Sequence, residues 1–215
     1  AVCYPPQRMH RQRRAMMMSD AFAPSTSASA LPSSGPSGLP TGVLVLSGMI
    51  LLAALTRLLP HPPYFSPVEA VALFGGAWFA SRAWALAVPL LAMFVSDLAL
   101  GLVNGGIYFE YFASAHFAAV YLCIALSTVL GFGLRGKVTG PRVLGYSLAG
   151  SVLFFLLSNL AVWATAIPGH GACSLGLLPC YVSAIPFFQN TVLGTLFYAA
   201  LLFGGFALLR RHVPR

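Results

Sequence analysis

The sequence predicts an all-α, polytopic membrane protein with six transmembrane helices. Three observations carry this. Of 215 residues, 58% are hydrophobic and only 7% charged, whereas a soluble domain carries about 25% charged residues. The mean hydropathy is +0.83. The apolar residues also gather into runs of membrane-crossing length, bounded by Pro, Gly or charged residues. A net charge of +8 raises nucleic acid as a partner. The basic residues, however, lie in the N-terminal tail and between the apolar runs, where they read as topology signals, so no nucleic-acid partner is expected.

Residues 1–42 form a tail. A basic cluster (Arg8, Arg11, Arg13, Arg14) leads into "PSTSASALPSSGPSGLPTG", a Ser/Pro/Gly-rich composition that cannot bury a core and is expected to be disordered. The cluster is too far from the first apolar run to form a signal peptide with it.

The membrane domain spans 43–209, with 210–215 a basic C-terminus. The first helix, 43–59, runs to Pro60. The second, 66–81, opens on Ser66-Pro67-Val68-Glu69, which reads as an N-cap, a proline at the first helical position and a capping-box glutamate. Its length is near the lower limit for a span, and a re-entrant segment is the alternative. The third, 83–102, follows Arg82. The fourth, 107–133, begins in the aromatic belt "IYFEYF". The fifth, 143–166, follows the loop "RGKVTGPR", and the sixth, 187–209, follows Pro186. Parity argues for keeping the second helix. With six crossings, eleven of the twelve Lys and Arg residues lie on one side and only Arg57 elsewhere. The positive-inside rule then places both termini in the cytoplasm.

The outer face receives 60–65, 101–106 and the long connection 167–187. The last contains Cys173 and Cys180. An oxidising compartment favours a disulfide between them; free thiols, or a metal pair with His170, are the alternatives. Cys123 reads as a small buried apolar residue.

Polar groups concentrate in the outer third: Arg57, Glu69, Asp97, Glu110 and Asn190, with His170 on the outer loop. The inner halves are nearly pure Leu, Ala, Val, Phe and Gly. This predicts a polar cavity open to the outside and sealed below. An ionised aspartate in a span costs roughly 2.5–3.5 kcal/mol at the bilayer centre, so Asp97 is expected to pair with Arg57. Glu110 either faces water or lines the pocket. His116 reads as a satisfied buried histidine rather than a metal ligand. Three carboxylates against one arginine, if all ionised, favour a cationic or donor-rich ligand. No nucleophile elbow, phosphate loop, zinc motif or Cys-x-x-Cys is present, so neither catalysis, a metal nor a cofactor is expected.

The segments "FSPVEAVALFGGAWF" (65–79), "PLLAMFVSDLALG" (89–101) and "AIPFFQNTVLGTLFYAALLFGG" (184–205) together resemble an uncharacterised family of six-span bacterial membrane proteins. That family is similar to the substrate-binding S components of energy-coupling factor (ECF) vitamin transporters. The resemblance covers 43–209. It implies an S-component-like bundle in the bacterial inner membrane that takes up a small vitamin-like molecule at its outer face. It also implies, as partners, an ECF transmembrane subunit and its two ATPases. Docking in S components often uses Ala-x-x-x-Ala in the first helix. Here that helix offers Ser47, Gly48, Ala53 and Ala54, and Ala115-x-x-x-Ala119 lies in the fourth. The expected function is therefore substrate binding and transport, with Arg57, Glu69, Asp97, Glu110 and Asn190 at the pocket and the 167–187 loop capping it. A structural or assembly protein, or a redox protein using Cys173 and Cys180, is the alternative.

Overall fold

The computed structural model describes residues 41–105, 112 and 114–212, and all regular structure among them is helical. Helix α1 is Thr41–Leu55, closed by a 3-10 turn (Thr56–Leu58). Next come α2 (Val68–Trp78), α3 (Arg82–Asn104), and α4 (Ala115–Gly131) with a 3-10 turn (Phe132–Leu134). Helix α5 is Gly140–Ala164. Helix α6 (Leu177–Ala199) passes through a π-helical turn (Ala200–Gly204) into α7 (Gly205–His212). The tail up to residue 40, the aromatic belt with Glu110, and residues 213–215 lie outside the described residues.

Among the described residues, five stretches are long and apolar enough to cross a membrane: 41–58, 82–104, 115–134, 140–164 and 177–211. Their outward faces carry large exposed apolar side chains, among them Leu52, Leu91, Leu102, Leu126 and Leu193. An apolar surface of this extent is suited to lipid rather than water.

Helix α2 is not among the five. Its eleven residues rise roughly 17 Å, well short of the ~30 Å hydrocarbon core. It is shorter than the expected 66–81 at both ends. The expected capping box does not form, because Pro67 is the cap, no side chain bonds it, and Ser66 Oγ is buried with no partner among the described residues. At the other end Phe79 turns extended. There Arg135 donates to Gly76 O (2.8 Å) and Phe79 O (2.9 Å), which satisfies the carbonyls the helix end leaves open.

Helix α2 is nonetheless the centre of the bundle: every residue from Val68 to Ala77 is buried. Side-chain pairings fix the directions around it. Arg57, just past α1, meets Asp97 in the last third of α3, and Ser96 donates to Ala54 O (2.9 Å), so α1 and α3 run parallel and α2 returns between them. Glu69 pairs with Thr195, Phe74 with Phe203 and Trp78 with Phe206, which sets α6 parallel to α2. Leu156 and Phe155 meet Tyr181 and Phe188, so α5 runs against α6. The chain therefore alternates direction through six steps. Arg82, Arg135, Arg142 and Arg210 gather at one end, where they stack on Phe132, Tyr146, Trp78 and Phe206. Arg57 and Asp97 lie at the other.

The sixth helix begins ten residues earlier than the expected 187. Pro186 lies inside α6 rather than before it. Proline is tolerated in membrane helices where neighbours satisfy the freed backbone groups. The 167–187 connection is thus half helix, and Asn190 sits mid-helix instead of at a helix start.

Candidate functional site

Both oxygens of Asp97 accept a hydrogen bond from the protein. Its Oδ1 accepts from Arg57 Nη1 (2.5 Å) and its Oδ2 from Tyr121 Oη (2.8 Å). Arg57 also reaches Ser96 Oγ at 3.4 Å. Asp97 is 5% exposed. Three helices are tied together here: α1 through Arg57, α3 through Asp97 and α4 through Tyr121. With one bond from the protein on each oxygen and little exposure, the carboxylate acts first as a brace between these helices.

Glu69 lies apart from that cluster. It is 2% exposed, in the first turn of α2. Its Oε2 accepts from Thr195 Oγ1 (3.2 Å), and its Oε1 has no hydrogen-bond partner among the described residues. Asn190 Nδ2 donates to Pro63 O (3.0 Å), holding the turn that carries Tyr64. Tyr64 has φ +64°, a left-handed conformation that costs a bulky residue on the order of 1–3 kcal/mol and tends to occur at functional sites. Its ring packs on Phe187, centroids 5.2 Å apart.

A cavity of about 320 Å³ opens between α5 and α6 at the Asp97 end. Its wall is aromatic: Tyr64, Phe154, Phe155, Phe187 and Phe188. Its polar lining comes from His116, Ser158, Asn159, Ser183 and Thr191, with Cys173 and Cys180 at one side. Asn159 Nδ2 is spent on Phe155 O (2.8 Å), and no described donor reaches its Oδ1. None of the described lining residues is Asp, Glu, Lys or Arg. Arg57, Glu69, Asp97 and Asn190 are not among the residues that line this cavity, and Glu110 lies outside the described residues.

Residues 39–215 match the model of a family of unknown function, DUF6580. The chain belongs to this family. No curated protein and no solved structure matches it. The DUF6580 match covers the whole helical bundle, the cavity included, and brings no link to ECF S components.

Within the DUF6580 segment, Cys173 and Cys180 form a disulfide that pins the 3-10 turn Ala172–Leu175 to the first turn of α6. No group of three or more His, Cys, Asp or Glu residues suited to a metal occurs among the described residues. A closed loop this short is worth about 2–3 kcal/mol in the chain-entropy account. Cys173→Ser/Cys180→Ser is therefore expected to lower the melting temperature of the purified protein, and addition of reductant to the wild type should reproduce the shift. An unchanged melting curve in both would remove the disulfide from the account of the cavity wall.

The cavity residues that sequence reasoning missed had a signal. Cys180, Ser183, Phe187 and Thr191 recur at helical spacing on one face of α6, as Phe154, Ser158 and Val162 do on α5. Taking Pro186 as a helix boundary hid the first of these series.

Proposed function

We propose that this chain is a six-pass integral membrane protein that binds a small, uncharged, vitamin-like solute from the face opposite its basic loops and passes it inward. The cavity of about 320 Å³ carries the reading. It lies at the lower end of the range for small-molecule sites, roughly 300–1,000 Å³, and combines apolar walls with a few convergent polar groups. Five rings suit a planar or partly apolar solute, and Asn159 Oδ1, Ser158 and His116 would orient its polar edge.

Support for six passes comes from the alternation of helix directions, in which α2 and its flanking extended segments make one return. The charge distribution favours a cytoplasmic basic end and suits the bacterial inner membrane. The solute is bound and moved without chemistry on it, and the chain has no catalytic role, cofactor or metal in this reading. An ECF transmembrane subunit with its ATPases is the partner the resemblance implies. Ala53 and Ala54, however, are buried within the bundle, so of the four small residues expected to serve docking on α1, Ser47 and Gly48 are the two left partly exposed.

Native mass spectrometry of the detergent-purified protein tests the reading. The expected result is a discrete small-molecule adduct on the wild type, lost in Asn159→Ala and Phe188→Ala variants that melt like the wild type. An adduct unchanged in both variants, or no adduct on protein extracted directly in lipid nanodiscs, would overturn it.

A further inference from the structure

We propose that Glu69 is a proton-exchange site connecting the cavity at the Asp97 end with a groove at the basic end, so that solute movement is driven by protons. The purpose of the site rests on the transport reading; the site itself is testable without any solute.

The buried polar groups argue for it first. Glu69 Oε1, Ser66 Oγ, Ser127 Oγ, Ser147 Oγ and Ser151 Oγ are all buried, and none has a hydrogen-bond partner among the described residues. An unmet buried polar group costs about 1–3 kcal/mol. Polar groups left unmet like this are the usual seats of buried water. Ionisable groups inside membrane bundles are costly and mark proton relays and ion pathways.

Their placement argues further. On α5, Ser147, Ser151 and Ser158 share one face, spaced four and seven residues apart over roughly 16 Å. Ser158 lines the cavity and Ser147 lines the groove. Between them, a Cβ placed on Gly150 would lie 3.8 Å from Glu69 Cβ. On α6, Thr191 lines the cavity, and Thr195, one turn deeper, holds Glu69. Glu69 thus sits between two openings, with hydroxyls leading to each. The groove, of about 1110 Å³, runs between the start of α5 and the π-helical turn after α6. Single π turns are frequent at functional sites.

The exchange is a simple one. A hydronium ion in the cavity gives a proton to Oε1: one of its O–H bonds breaks, an O–H bond forms on Oε1, the carboxylate is neutralised and a water molecule is left. Loss of that proton to water in the groove restores it. Among the helices packed on α2, α1 brings Arg57 and α4 brings Cys123 within electrostatic reach of the carboxyl. Helix α4 also carries His116, at the cavity, and Tyr121. Helix α3 carries Asp97, already held by Arg57 and Tyr121. Helix α6 carries Tyr198, which is bonded to Thr56, and between Gly145 and Ala164 α5 carries only Tyr146 as a titratable group. No second carboxyl on these helices is left to compete for the proton.

The test uses the full chain in proteoliposomes and dicyclohexylcarbodiimide, which adds to protonated carboxyls in apolar surroundings. Internal and external pH are varied separately, and the adduct is located by mass spectrometry. The expected result is labelling at Glu69 that falls when the pH of either compartment is raised. Labelling should vanish in Glu69→Gln, an isosteric change that keeps an oxygen for Thr195. In Ser147→Ala/Ser151→Ala the response to the basic-end compartment should be lost and the cavity-side response kept, which a merely structural role for these serines would not produce. No labelling at any pH, or wild-type labelling that ignores one compartment, overturns the proposal. Dual-sided labelling without any solute adduct would instead leave the proton site standing and remove the solute reading.

Discussion

Asp97→Ala is expected to destabilise the protein by about 3–5 kcal/mol, because it strands the Arg57 guanidinium among buried groups. Arg57 is only 19% exposed at the side chain and Asp97 only 7%, so the pair does not behave as a surface salt bridge, worth about 0–1 kcal/mol. The loss would be read as a lower melting temperature in detergent and poorer recovery on size exclusion. Removing both charges together, as Arg57→Met/Asp97→Leu, should cost less than Asp97→Ala alone, since no unpaired charge remains. Tyr121→Phe should cost about 1 kcal/mol, the net value of a typical hydrogen bond, or somewhat more with a charged acceptor. If Asp97→Ala melted with the wild type, the guanidinium would have to find water, and the three-helix brace would not be a stabilising element. Where the variant stays folded, solute binding should persist, because Asp97 does not line the cavity.

That pairing was legible in the sequence. Two opposite charges near the same ends of two apolar runs have few cheaper solutions than each other. The helices themselves were legible too, because long apolar runs interrupted by Pro, Gly and Arg leave little choice of element. What the sequence hid was the register of the sixth helix and the identity of the cavity. Pro186 looks like a boundary only if a helix is assumed to need its amide, and α6 runs through it. The cavity is lined largely by Phe, Ser and Thr, residue types that recur elsewhere in the same spans. The charged residues drew attention because they are rare here, yet rarity in an apolar chain marks a group that must be satisfied, and Arg57 and Asp97 satisfy each other. The inner halves, nearly pure apolar by composition, also bury hydroxyls whose positions the sequence did not single out. Ser127, Thr128, Ser147 and Ser151 are each at most 1% exposed, and single hydroxyls scattered through Leu-rich segments do not stand out by composition.

Centrality of α2 explains why so short a helix can organise the bundle. With every position from Val68 to Ala77 buried, it has no face left for lipid, and its length need not match the bilayer. The longer helices around it make that match. Small residues let them approach it closely, which is how membrane helices gain packing in the absence of a hydrophobic driving force.

Gly76→Ala should therefore be among the most damaging single-methyl additions in the chain. A Cβ at Gly76 would fall inside contact distance of Thr128 O and 2.9 Å from Gly131 Cα. Both obstacles are backbone, so no side-chain rotation can relieve them. The approach is reciprocal: a Cβ at Gly131 would lie 2.6 Å from Leu73 O and 3.0 Å from Leu73 Cα. Relief requires α2 and α4 to move apart, and α2 is enclosed by α1, α3, α5 and α6 as well. Overpacking of this kind typically costs about 1–3 kcal/mol, and backbone obstruction on both sides puts Gly76→Ala at or above the top of that range. Gly145→Ala in α5 is the matched control, since no atom lies within 4 Å of its added Cβ. There the change should stabilise by about 0.5–1 kcal/mol through helix propensity alone. Melting curves of the two variants in one detergent should move in opposite directions. Equal or same-sign shifts would mean that the α2–α4 crossing is looser than the glycine pair implies, and that α2 is not the rigid centre around which the cavity and Glu69 are placed.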